Sequence, residues 1–135
     1  MIVEDEKILR ISLADALKEE GYTILAVATG KDALAAIDQS TFSLIITDIR
    51  LPDISGMEVL RQSMQAAPST PVVMMTGYGN IKDAVESMRM GAFDYITKPF
   101  DLEEMFVTVS KALEVHALTE ENIRLKKELS TQFTS

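Results

Sequence analysis

The sequence predicts an α/β chain: a doubly wound, five-stranded parallel sheet with helices on both faces and an extended C-terminal helix. Three observations carry this expectation. Apolar, β-rich runs alternate with amphipathic helical patterns over most of the chain. The clearest of these runs, "LIIT" at residues 44–47 and "VVMM" at 72–75, are apolar at successive rather than alternate positions, so both of their faces are covered. Right-handed crossovers then limit the topology to a sheet wound both ways from its middle, which places a ligand site beyond the carboxyl ends of the strands.

The elements follow in order. Strands are expected at residues 1–3, 22–28, 42–47, 72–75 and 93–97. Leu9, Leu13 and Leu17 share one face of the first helix with Ala16 beside them, and Gly21 is placed to end it. Thr29 can cap a short, alanine-rich second helix carrying Leu34 and Ile37. The third starts near Ser55, turns Met57, Leu60 and Met64 inward and stops before Pro68. Asn80 can cap a fourth that buries Ile81, Val85 and Met88 and closes at Gly91. Asp101 and Glu104 form a capping box for a fifth.

Composition narrows the function. The 135 residues suit one domain with a tail. No apolar run is long enough to cross a bilayer, and no basic-then-apolar leader suggests secretion, so a cytoplasmic location is the default. Without cysteine there is no disulfide and no thiolate chemistry. A formal net charge of -8 opposes contact with phosphate backbones, which argues against nucleic-acid binding by this chain and for cations as ligands.

The strand tips carry Glu4 and Asp5, then Asp48, Thr76 and Lys98. Singly, each has an ordinary structural reading: a helix cap, a turn former before Pro52, or a solvated amine. Together they would meet at one edge of the doubly wound sheet. Neighbouring carboxylates repel unless a cation joins them, and an all-oxygen set suits Mg²⁺ better than zinc or copper. An ionised carboxylate beside Mg²⁺ and an ammonium can attack phosphorus to give an acyl phosphate. A hydroxyl and an ammonium can hold the phosphoryl oxygens, because phosphoryl transfer is catalysed mainly by positioning and charge neutralisation. Asp48 is the expected nucleophile, with Thr76 and Lys98 as its partners.

The stretches "VEDE", "TDIRLPDISGMEVL", "VVMMTGYGN" and "GAFDYITKPF" closely resemble the receiver domain of bacterial two-component response regulators, over residues 1 to about 115. The resemblance implies a flavodoxin-like sheet of strand order 2-1-3-4-5. It makes Asp48 the phospho-acceptor and Asp5 a direct Mg²⁺ ligand, with Glu4 binding through water and Arg50 through its main-chain carbonyl. Thr76 and Lys98 become the phosphate partners and Tyr95 the aromatic switch, with a cis Lys98-Pro99 bond. The phosphoryl donor would be a phosphohistidine on a sensor histidine kinase, and the switched surface would be the fourth helix, fifth strand and fifth helix. Further likeness of "MTGYGNIKDAVESMRMGAFDYITKPF" and "EENIRLKKEL" to NtrC-type receivers of sigma-54-dependent activators implies ATPase and DNA-binding domains beyond this chain. Phosphorylation there would change receiver pairing to control the ATPase.

The sequence also departs from the pattern. Only Met1, Ile2 and Val3 precede Glu4, so either the first strand is trimmed, at the end away from the site, or the start lies further upstream. Residues 116–135 are expected to continue the last helix as a linker. In that stretch Leu118, Asn122, Leu125 and Leu129, led by Val115, repeat at three- and four-residue spacing, a short coiled-coil seam suited to a homodimer. His116 stands alone and is expected at the surface. Arg50 and Tyr78 can each shield phosphorus from water, so self-dephosphorylation is expected to be slow. A haloacid-dehalogenase-like phosphatase needs an acid two residues after its nucleophile, where this chain has Arg50. A flavin mononucleotide binder needs small and hydroxyl residues after the first strand, where this chain has "VEDEK". An inert dimerisation module is the remaining alternative, and it predicts no Mg²⁺-dependent phosphorylation.

Overall fold

Apolar residues at successive positions of the central strands require cover on both sides, and the chain supplies it with alternating helices. The computed structural model describes residues 1–77 and 79–133, with side chains through residue 131. Strands β1 (Ile2–Val3), β2 (Ala26–Val27), β3 (Ile45–Asp48), β4 (Val72–Thr76) and β5 (Asp94–Thr97) form one parallel sheet in the order β2-β1-β3-β4-β5. Helices α1 (Lys7–Glu19), α2 (Gly30–Gln39), α3 (Gly56–Ala66), α4 (Ile81–Arg89) and α5 (Leu102–Phe133) connect and follow them. The winding reverses between β1 and β3, which puts a crevice at their carboxyl ends.

Alternate residues of each central strand feed different cores. Ile45, Val72 and Met74 pack in one cluster with Ile37, Val59, Leu60 and Ala84, from α2, α3 and α4. Ile46, Val73 and Met75 pack in the other with Leu13, Leu17, Met105 and Val109, from α1 and α5. Each fully buried Leu or Ile is worth about 1.5–3 kcal/mol of transfer free energy. Caps fix the helix starts as the sequence suggested at two places: Thr29 Oγ1 accepts from the Asp32 N–H at 3.1 Å, and Ser55 Oγ from the Met57 N–H at 3.1 Å. Gly91 follows α4 with φ +109°, a left-handed conformation that costs a side-chain-bearing residue steric strain.

The structure corrects three expectations. α4 does not bury Ile81, Val85 and Met88, which are 45%, 44% and 39% exposed; Ala84 and Ser87 are its fully buried residues. The helix is turned by one residue, about 100°, so that small Ala84 and Ser87 are buried and Ala84 packs with Val72 and Met74 of β4. The second strand is confined to Ala26–Val27 rather than 22–28. β2 is an edge strand whose sole neighbour is β1, and the ladder bond from the Ile2 N–H to the Leu25 carbonyl, 2.8 Å, is where pairing starts. Third, His116 is half-buried: its Nδ1 lies 3.0 Å from the Ser69 carbonyl, and Ser69 Oγ donates to Glu120 at 2.6 Å. These contacts fasten the middle of α5 to the loop before β4.

α5 runs unbroken for 32 residues, about 48 Å. Its first half buries Met105, Val109 and Ala112, whereas Val115, Leu118, Leu125 and Leu129 of the expected seam are exposed. Among the described residues no helix is long and apolar enough to cross a membrane.

Candidate functional site

Strand register decides what meets at the tips. Val3 pairs with Thr47, and Thr76 with Thr97. The residues that follow, Glu4, Asp48 and Lys98, therefore emerge at one level. Main-chain bonds extend the ladder to them: the Ile49 N–H donates to the Met75 carbonyl at 2.9 Å and the Lys98 N–H to the Thr76 carbonyl at 2.6 Å.

The Lys98 ammonium donates to Glu4 Oε1 and to Asp48 Oδ2, the latter at 2.6 Å, so one cation bridges two carboxylates. Glu4 is fully buried, and its second oxygen accepts the Glu6 N–H at 3.1 Å. Asp48 Oδ1 accepts the Arg50 N–H at 3.3 Å. Arg10 Nη1 donates to the Glu4 and Asp5 carbonyls, at 2.9 and 3.3 Å, and so holds the turn after β1 in place. Burial pushes the Glu4 carboxyl up, opposed by the hydrogen bonds from Lys98 and the Glu6 N–H. Burial also works against the Lys98 charge, but the bonds to Asp48 and Glu4 outweigh it and raise its pKa, so Lys98 stays an ammonium.

Asp5 is exposed at the rim, and one carboxylate oxygen from each of Glu4, Asp5 and Asp48 lies within 4.8 Å of the others. Such a set of hard oxygen donors fits a hard divalent cation. Thr76 is buried at the end of β4, and its hydroxyl donates into the following loop, with the Asn80 and Gly77 carbonyls at 3.3 and 3.4 Å. Arg50 reaches the same loop, Nη2 donating to Asn80 Oδ1 at 2.9 Å. Asp48, Arg50, Thr76, Asn80 and Lys98 line a cleft of about 170 Å³. A larger cavity of about 470 Å³ lies at the opposite end of the sheet, but no acidic or basic side chain lines it, so the chemistry belongs to the smaller one. Tyr95 is half-buried on β5 against the α2–α3–α4 side of the core, apart from the carboxylates. The Lys98-Pro99 peptide is cis. Tyr78, expected to shield phosphorus, lies outside the described residues.

Two supporting residues, Asp53 and Gly56, were not legible in advance, and a third, Asn80, has a role other than the one its sequence position suggests. Asp53 accepts from the Gly30 and Lys31 N–H groups at 2.9 and 2.8 Å, capping α2 from a distant loop. Gly56 starts α3 so close to β3 that a Cβ there would sit 2.0 Å from the Asp48 carbonyl oxygen. Asn80 was expected to cap α4, but its side chain makes no cap bond and is held by Arg50 instead. Only the glycine ahead of an apolar helical run offered a signal of close packing.

Comparison with known proteins agrees with this geometry. The family model described as response regulator receiver domain matches residues 1–110. The chain is 35% identical over 133 residues to the regulatory protein AtoC of Escherichia coli K12, covering 98% of this chain and 29% of AtoC. It is 37% identical over 131 residues to a putative NtrX-like response regulator of Rickettsia typhi, covering 96% of this chain and 28% of that protein. The chain thus spans less than a third of either relative. Among solved structures, NtrX from Brucella abortus in complex with ADP superposes with a TM-score of 0.86 at 35% identity, covering 92% of this chain and 29% of that one. The separate receiver domain of NtrX from Brucella abortus gives 0.80 at 36% identity, covering 84% of this chain and 96% of that one. On the family match, the fold and the tip residues together, the chain belongs to the response regulator receiver domain family of two-component signalling.

Proposed function

We propose that Asp48 accepts a phosphoryl group from a phosphohistidine of a sensor histidine kinase, and that the acyl phosphate switches the protein's surface. The observation that carries this reading is the Lys98 ammonium bridging Glu4 and Asp48 at the open end of the sheet, with Asp5 alongside. In the transfer, an Asp48 carboxylate oxygen attacks phosphorus as the P–N bond of the donor breaks, and the electron pair leaves with the imidazole. Lys98 neutralises charge on the moving group, and the Thr76 hydroxyl turns from its loop acceptors to a phosphoryl oxygen.

The carboxylates fit Mg²⁺: Asp5 and Asp48 would hold it directly, Arg50 through its main-chain carbonyl, and Glu4 through water. Both Glu4 oxygens already serve protein donors, which suits an indirect contact. Bound there, Mg²⁺ would offset the carboxylate charge and orient phosphoryl oxygens.

Departure of the Thr76 hydroxyl leaves space behind it for Tyr95 to turn inward, remodelling the face of α4, β5 and α5. The exposed Ile81, Val85 and Met88 give that face apolar surface for pairing with a second copy. The stripe of Leu118, Leu125 and Leu129 beyond the receiver, led by Val115 at its end and with Asn122 among them, gives a second surface for the homodimer. We assign 1–115 to the receiver and 116–135 to a linker helix that passes the switch to an ATPase and a DNA-binding domain in the whole protein. The test is intact mass after incubation with Mg²⁺ and acetyl phosphate. Gain of one phosphoryl group by the wild type, absent in Asp48→Asn and without metal, is the expected result. No gain by the folded wild type leaves the inert dimerisation module.

A further inference from the structure

Asn80 occupies the N-cap position of α4 but does not cap it. Its backbone, φ −108° and ψ 25°, lies outside the extended region that cap residues usually adopt, and its side chain makes no bond to the helix. The amide oxygen that would accept the Lys82 or Asp83 N–H accepts Arg50 Nη2 instead, at 2.9 Å. The Asn80 carbonyl, meanwhile, serves both the Ala84 N–H at 3.2 Å and the Thr76 hydroxyl at 3.3 Å. Asn80 is therefore held by two side chains that line the Asp48 cleft, Arg50 after β3 and Thr76 at the end of β4, while its own side chain leaves the helix uncapped.

We propose that Asn80 is a two-position coupling residue: Arg50 holds it off α4 in the resting protein, and once Arg50 is drawn away it turns to cap the helix. The physical basis is competition for each partner. A guanidinium prefers a phosphoryl dianion to a neutral amide oxygen, because only the dianion adds the attraction of a full opposite charge and can take two parallel N–H bonds. A released asparagine oxygen beside open N–H groups at N2 and N3 gains a cap bond. Phosphorylation would thus remove the Arg50 and Thr76 bonds together and return Asn80 to the helix, tightening the first turn of α4. This last step rests on the phospho-acceptor reading above; the resting competition does not.

Residue-resolved amide exchange tests both parts. Without a phosphodonor, Arg50→Ala is expected to slow exchange at Lys82 and Asp83 about fivefold, the equivalent of one cap bond. In Asn80→Ala the same Arg50 substitution is expected to change nothing there. Unaltered exchange in Arg50→Ala, or slowing that persists when Asn80 is also alanine, overturns the competition. With Mg²⁺ and acetyl phosphate, the wild type is expected to show the same slowing, while Asn80→Ala gains the phosphoryl mass without it. Slowing in phosphorylated Asn80→Ala overturns the coupling. Failure of the wild type to gain mass overturns the acceptor reading and the phosphorylation step with it, and the phosphodonor-free result still decides the resting competition.

Discussion

Acetylating the Met1 amine is expected to stabilise the fold by an amount that grows as the pH falls from 8 to 5. The amine is buried at the start of β1, where it donates to the Leu44 carbonyl at 2.8 Å, and burial lowers its pKa from 8.0 to about 5. Between those values the unfolded chain binds a proton that the folded chain refuses, so folding with a free amine loses stability as pH falls. At 1.36 kcal/mol per pKa unit, the penalty is about 1.4 kcal/mol at pH 7, about 2.7 at pH 6, and approaches about 4 below pH 5. An acetylated nitrogen keeps its N–H for Leu44 and carries no charge, and the adjoining cavity of about 470 Å³ has room for the acetyl group. The assay is urea unfolding of both forms across this range. Other titrating groups are common to the two forms and cancel in the difference. At pH 7 the acetylated form should melt about 5 °C higher. A difference that stays flat between pH 8 and 6 would refute the reasoning, since it would mean that the amine reaches water in the folded state. Apolar residues placed before Met1 should raise the midpoint further by lengthening the β1 ladder.

Other expectations concern the site. Lys98→Met leaves buried Glu4 facing Asp48 with no cation, which should cost about 3 kcal/mol, at the low end for a broken buried pair because Lys98 is 22% exposed; saturating MgCl₂ should recover part of the lost urea midpoint, and no recovery would count against metal binding by these carboxylates. The raised Lys98 pKa makes its contribution complete below about pH 10.5 and lost as the pH climbs through the folded value, so wild type and Lys98→Met should converge in stability under strongly alkaline conditions. Gly56→Ala drives a Cβ into the Asp48 main chain and should destabilise by about 3 kcal/mol or more; a thermal midpoint within a degree or two of wild type would show that α3 can shift freely. Shortening Arg50 and Tyr78 to alanine should speed loss of the phosphoryl group after the donor is removed, and an unchanged half-life would reject shielding.

The sheet and the tip residues were legible because they depend on local signals. Continuous apolar runs mark strands covered on both faces, right-handed crossovers order them, and polar residues at the ends of such runs fall on one edge. Lys98, far along the chain from Asp48, could be assigned to the cleft because a parallel sheet aligns the tips of its strands.

Tertiary structure alone decided the rest. The inward face of α4 is set by how the helix packs on the sheet, where small Ala84 and Ser87 are buried, and the apolar character of Ile81, Val85 and Met88 pointed the wrong way. The length of β2 depends on where β1 offers backbone to pair with. His116 had no partner in sequence because Ser69 is brought to it by the packing of α5, and Asp53 reaches α2 through a turn that no local pattern encodes. Asn80 has the chemistry of a helix cap, as the sequence says, but Arg50 competes for it across the cleft. Sequence determined which groups this protein possesses and the edge at which they gather; folding decided which of several suitable partners each group takes, because that choice rests on distances between residues far apart in the chain.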